Sequence, residues 1–283
     1  MSDTKPVEEN PVLISTTPTG ITTISINRPS RKNAVDPPTA TALYTAIRAF
    51  ESDASQKVLI LTGTNGTFCA GFDLHSLASS KSTEESQAGF TGPVIPHARG
   101  QGPMGPSRLT ITKPVISAVS GYAVAGGLEL SLLGDMRVVE EDAVFGVFCR
   151  RFGVPLIDGG TVRLQAIVGL GRAMDMILTG RPVGAQEALT MGLANRVVPK
   201  GKALEEAEAI ARQLLTFPQE CMNLDRKSAY YACYEATSFD DALQYEFDHG
   251  VKVVSEESIQ GAARFSSGQG RHGVFQQAPV SKL

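Results

Sequence analysis

Ser120-Gly-Tyr-Ala-Val-Ala-Gly126-Gly127-Leu-Glu129-Leu-Ser-Leu-Leu133 sets one carboxylate inside an apolar, glycine-led run. Taking an ionised carboxyl out of water costs several kcal/mol unless it is paired or hydrogen-bonded. No Lys or Arg lies between Lys113 and Arg137 to pair with it locally. The two glycines let backbone come close to a ligand where a helix begins, and the first N–H groups of a helix carry the positive end of its dipole. An acid/base beside an oxyanion site is one reading. An exposed helix-face glutamate, or one neutralised by Arg137 or Arg163, is the other.

A second segment, Val58-Leu-Ile-Leu-Thr-Gly63-Thr-Asn-Gly66-Thr-Phe68-Cys-Ala70-Gly71-Phe72-Asp73-Leu74, reads as a buried strand, a glycine-marked turn and a helix start. The chain therefore offers two strand-to-helix junctions with backbone donors. Upstream, Val12–Thr16 and Ile21–Ile26 alternate as strands about Thr17-Pro-Thr-Gly20, the pattern of a hairpin. Leu43, Ile47 and Phe50 recur at helical spacing in residues 39–50, with Asp36 placed to cap that helix. Residues 114–119 and 136–139 read as further short strands, so β and α alternate and the class is α/β. After residue 200 the pattern turns helical, over 204–215, 219–234, 239–254 and 258–265.

A chain of 283 residues with 42% hydrophobic content can bury a large core. Its net charge of -3, without a long Lys/Arg run, gives no footprint for nucleic acid. Cys69, Cys149, Cys221 and Cys233 form no CxxC pair and no metal-spaced cluster with histidine, so no metal is expected. Gly63, Gly66 and Gly71 do not make the dinucleotide fingerprint GxGxxG. No apolar run is long enough for a membrane span, and residues 1–10 read as a flexible, polar N-terminus without a secretory core. Ser281-Lys282-Leu283 reads as a peroxisomal address for an import receptor, carried on a flexible tail over 266–283.

Taken in order, these motifs resemble the crotonase, or enoyl-CoA hydratase/isomerase, superfamily. The resemblance starts at Ile24-Ser-Ile-Asn27-Arg28-Pro29-Ser-Arg31-Lys32-Asn33-Ala34. It passes through both junctions and Val154-Pro-Leu-Ile-Asp158-Gly159-Gly160-Thr161, and runs to about Phe265. It implies a crotonase-like spiral of repeated β-β-α turns over 11–200, and a C-terminal helical part over 201–265 that packs homotrimers or a dimer of trimers. It also implies an acyl-CoA substrate, with CoA as part of the substrate and no separate cofactor.

The enolate of that thioester would be held by one N–H from each junction, here Ala70 and Gly126; losing one such donor typically costs about 3 kcal/mol. Glu129 matches the family's first catalytic glutamate, and the second falls on Cys149, for which packing is the plainer role. Asp158 lies where some relatives carry a catalytic acid, or else caps a helix over 161–167. Arg150 and Arg151 either hold these carboxylates ionised or are solvated. Arg28, Arg31 and Lys32 fall where relatives contact the ADP portion of CoA, or else form an exposed charged turn. Phe72 narrows the acyl pocket, and Asp73 and Leu74 complete the first oxyanion motif, with Asp73 organising the turn. Residues 79–106, rich in Gly, Ser and Pro, either bring Phe90, Val94, Ile95 and Met104 to the acyl pocket or form a surface insertion. His75 receives no role. The expected reaction is hydration of trans-2-enoyl-CoA in lipid metabolism; the alternatives are a double-bond isomerase and a non-catalytic acyl-CoA binder.

Overall fold

The computed structural model describes residues 10–79 and 100–268. β1 (Val12–Thr16) and β2 (Ile21–Ile26) form the expected antiparallel hairpin, with Val12 opposite Ile26. From β2 onward the pairing is parallel, through β3 (Val58–Gly63), β4 (Val115–Val119), β6 (Met136–Glu140) and β9 (Arg196–Val198). The result is a six-stranded sheet in the order β1-β2-β3-β4-β6-β9. β4 is buried along its whole length, which is why Val-Ile-Ser-Ala-Val shows no polar alternation.

A smaller sheet, β5-β7-β8, is built from Tyr122–Val124, Val144–Gly146 and Val183–Gly184. The chain alternates between the two sheets: β4 leads to β5 and then to the helix Gly126–Ser131, and β6 leads to β7 and then to the helix Gly160–Val168. A bridge between Cys69 and Ala123 carries the smaller sheet back to the preceding turn. This is the repeated β-β-α spiral implied by the resemblance.

The helices follow the apolar periodicity. α1 (Pro37–Ser52) buries Leu43, Ile47 and Phe50, and Asp36 caps it by accepting from Thr39 N at 3.0 Å. α2 (Leu74–Ala78) and α3 (Gly126–Ser131) start at the two glycine-marked junctions. α4 (Gly160–Val168), α5 (Leu170–Thr179), α6 (Ala185–Thr190) and α7 (Ala203–Leu214) follow.

Two compact units divide between Ala211 and Arg212, later than the expected break after residue 200. The physical reason is α7, whose Ala203, Ala207, Ile210 and Ala211 are buried. In the second unit α8 (Gln219–Tyr234) and α9 (Phe239–Val253) are joined by Tyr231 stacked on Tyr245, ring centres 3.8 Å apart. α9 runs through a π-helical turn, Val254–Ser258, into α10 (Ile259–Ser266), so the break expected there is a change of winding. The N-terminal residues 1–9, Phe90, Val94, Ile95 and Ser281-Lys282-Leu283 lie outside the described residues. Among the described residues no helix is long and apolar enough to cross a membrane.

Candidate active site

α3 is buried on every side, which fits the apolar residues around its one carboxylate and makes Glu129, 2% exposed, an interior carboxylate. It is held by main-chain amides. Oε1 accepts hydrogen bonds from Asp158 N at 2.9 Å and Gly160 N at 2.8 Å, at the entrance of α4. Arg137 instead donates to the carbonyls of Gly134 and Leu193, and Arg150 to that of Ile177. A Cβ on Gly160 would sit 2.8 Å from Glu129 Cγ, so only glycine admits this approach. Burial pushes the Glu129 carboxyl up to about 7, and the nearby Asp158 charge adds to the shift; the two amides and Arg163 oppose it.

Asp158 is equally interior, and it does not cap α4. The cap position belongs to Gly159, at φ 91 with no side-chain bond. Asp158 Oδ1 instead accepts from Met104 N at 3.0 Å and from Ser107 Oγ, both on a turn distant in sequence. Burial raises its pKa, against Ser107, Met104, Arg108 and Arg163. Glu129 and Asp158 thus line one pocket together with Cys149. Burial first, then the Glu129 charge, raises the Cys149 thiol, so it stays protonated and is a poor acid or base. Asp158 is therefore the second carboxylate at this pocket, beside Glu129.

The pocket, with the open solvent at its mouth, spans about 560 Å³ and has a mainly apolar wall that includes Phe72, Met104, Phe148, Phe152 and Ile157. Gly126 opens α3 at its edge, where its N–H is the first of the helix. The two junctions touch: a Cβ on Gly71 would lie 3.1 Å from Gly126 N.

The enoyl-CoA hydratase/isomerase family profile matches residues 16–269. The chain belongs to this family. Enoyl-CoA hydratase EchA19 of Mycobacterium tuberculosis is 32% identical over 248 residues, 86% of this chain and 89% of that protein. Probable enoyl-CoA hydratase 1, peroxisomal, of Arabidopsis thaliana is 31% identical over 252 residues, 89% of this chain and 87% of that protein. The crystal structure of enoyl-CoA hydratase from M. tuberculosis H37Rv superimposes with a TM-score of 0.80 at 30% identity, covering 92% of this chain and 97% of that one.

Within this hydratase/isomerase fold, two expected roles change. The Ala70 N–H donates to Lys32 O at 3.1 Å and is spent on the fold. Gly71 N points to Cys69 Sγ, and Asp73 N to Val35 O at 2.8 Å. Phe72 forms a parallel bridge with Val35, in which Gly71 C=O and Asp73 N–H face Val35; the Phe72 N–H faces the opposite way. The Ala70 N–H is thus not available as the donor expected of this junction, while Ala70, Phe72 and Leu74 all line the pocket.

Arg28 is the second change. It pairs with Asp36 at 2.8 Å and Asp73 at 3.0 Å and donates to Ala34 O, so its guanidinium is engaged by three partners inside the protein rather than turned outward as expected for a phosphate contact. Asp73 uses its other oxygen to cap α2 at His75 N, the organising role expected of it. Arg31 is half-buried, and Lys32 is exposed, its Nζ 5.3 Å from the Tyr122 ring centre. Met104 lines the pocket, which decides for that residue between the pocket role and the surface insertion. The sequence carries no expectation for Phe148 and Phe152, which line the pocket, or for Ser107, which bonds Asp158; the paired Gly-Pro steps of Gly102-Pro-Met-Gly-Pro-Ser107 mark the tight turn that carries Ser107.

Proposed function

We propose that this enzyme hydrates trans-2-enoyl-CoA thioesters, with Glu129 and Asp158 as its acid/base pair. The observation that carries the reading is two buried carboxyls of separate turns lining one apolar pocket. A carboxyl near 7 is ionised for a useful fraction of the time at neutral pH, as a base for water must be. Glu129 takes a proton from water as the water oxygen bonds to C3. The electrons of the double bond move onto the thioester carbonyl, where the N–H groups of Gly126 and Phe72 hold the enolate oxygen. A protonated Asp158 then gives its proton to C2, and transfer of the proton on Glu129 to Asp158 restores the starting state. CoA enters as part of the substrate, and the scheme uses no further cofactor.

Purified protein should remove the conjugated enoyl-thioester absorbance and release a 3-hydroxyacyl product. If Glu129→Gln turns over like wild type, the scheme is wrong. Protein that binds the thioester without turnover would favour the acyl-CoA binder. Cys149 in place of a second glutamate keeps a double-bond isomerase in play, and a 3-enoyl product would identify it.

Assembly as a homotrimer, or a dimer of trimers, is supported by the α9 stripe Phe239, Leu243, Phe247 and Val251, exposed one helical turn apart; light scattering tests it. The name of the plant relative favours a peroxisomal location, for which Ser281-Lys282-Leu283 would be read by the import receptor. A fluorescent fusion with and without the tripeptide tests that.

A further inference from the structure

We infer that Ser107 is a positioning residue for Asp158, fixing which carboxyl oxygen carries the proton delivered to substrate. The inference rests on the acid role given to Asp158 above. Ser107 is buried, 1% exposed, and its hydroxyl donates to Asp158 Oδ1, the same oxygen that accepts from Met104 N at 3.0 Å. An oxygen receiving two donors in a dry site has little capacity left for a proton of its own. The proton of a neutral Asp158 is therefore confined to Oδ2. Without the Ser107 donor, Oδ1 can take it, and the acid delivers less often in the right direction.

The surrounding geometry is built for this contact. The turn is closed on itself by Gly102 N to Gly105 O and Gly105 N to Gly102 O, both 2.8 Å. Gly105 has φ 85, and a Cβ there would stand 2.3 Å from the Ala40 carbonyl oxygen on α1, so the turn lies directly against that helix. A Cβ on Gly102 would lie 2.2 Å from Ser107 Oγ and 2.7 Å from Asp158 Oδ1, filling the space this contact occupies. Arg163 clasps both partners from outside, donating to Ser107 O at 2.7 Å and to Asp158 O at 3.1 Å. Those two bonds go to main-chain carbonyls, whereas the serine hydroxyl donates to the acid itself.

The test is a set of variants, Ser107→Ala, Ser107→Thr and Asp158→Asn, with Ser107→Ala also placed in the Asp158→Asn background. Melting curves confirm folding, and kcat, KM and the pH profile of kcat/KM are measured on a trans-2-enoyl-CoA. Ser107→Ala should lower kcat about tenfold, a part of the roughly 10²–10⁴ that acid–base catalysis supplies, with KM little changed. It should also displace the profile to higher pH, because the lost donor favoured the ionised carboxyl. Ser107→Thr should restore both, and Ser107→Ala should add no loss once Asp158 is replaced by Asn.

A Ser107→Ala enzyme with wild-type kcat and pH profile, beside an impaired Asp158→Asn, overturns the inference and leaves the hydratase scheme standing. An equal loss in the Asp158→Asn background overturns it too. Wild-type turnover by Asp158→Asn removes the acid role itself, and the inference with it. If no enoyl thioester is turned over, the Asp158 carboxyl is titrated by 13C NMR: an upward displacement in Ser107→Ala that Ser107→Thr reverses supports the contact, and an unmoved titration refutes it.

Discussion

Replacing Glu129 by Gln should make the protein more stable and less active, and the gain in stability should depend on pH. In the folded protein the carboxyl titrates near 7, against an ordinary value of 4.5. A raised folded pKa means that the folded state binds the proton more tightly than the unfolded chain. The stability linked to that proton is present at low pH, fades as pH rises between the two values, and is lost above 7. At pH 8 wild type carries a buried carboxylate whose cost is about 3 kcal/mol, whereas at pH 5 the folded carboxyl is neutral and the cost is under about 1 kcal/mol. The glutamine side chain would keep an oxygen for the amides of Asp158 and Gly160 and would not titrate. Urea denaturation of both proteins at pH 5 and pH 8 should show the Glu129→Gln advantage growing by about 2.5 kcal/mol. The same substitution should lower kcat roughly 10²–10⁴-fold. A stability difference that is equal at the two pH values, or that shrinks at pH 8, would refute both the burial and the assignment of Glu129 as the titrating base.

Asp158→Asn should lower kcat roughly 10²–10⁴-fold, because it removes the proton meant for C2; steady-state kinetics on a trans-2-enoyl-CoA reads it directly. Gly126→Val should abolish turnover while the protein still melts cooperatively, because its Cβ meets the movable Met104 Sδ, at 2.6 Å. Gly127→Ala should fail differently, losing stability by about 1–3 kcal/mol or more, since its Cβ would fall 2.0 Å from the Cys69 carbonyl oxygen, a backbone atom that cannot step aside. Chemical denaturation separates these two outcomes. Cys149→Ser should leave kcat within about threefold of wild type, because a raised, protonated thiol contributes little to proton transfer.

Much of the fold is legible in local pattern. The β1–β2 hairpin, α1 with its Asp36 cap and the apolar run of β3 follow from periodicity and turn chemistry acting over a few residues. Glu129 stands out because a carboxylate among Leu and Gly needs an explanation. What stays hidden is set by contacts between distant segments. The choice between Ala70 and Phe72 as the proposed donor depends on a bridge to Val35 that decides which amides face that residue and which face away, and alternation along a strand reverses with each residue. Asp158 before Gly-Gly-Thr carries the local signature of a helix cap, and only the arrival of Met104 N and Ser107 turns it elsewhere. Arg28 follows the same logic, since its two carboxylate partners come from separate turns of the spiral.

The grip on Glu129 consists of main-chain amides, and the grip on Asp158 includes a serine hydroxyl. The two halves of the pair are thus exposed to change in unequal ways. Point substitution can erase or rewire the second socket one side chain at a time, while the first persists for as long as the chain keeps its path and a glycine at position 160. A lineage built on such a frame can exchange one terminal of its circuit and test new chemistry without rebuilding the other.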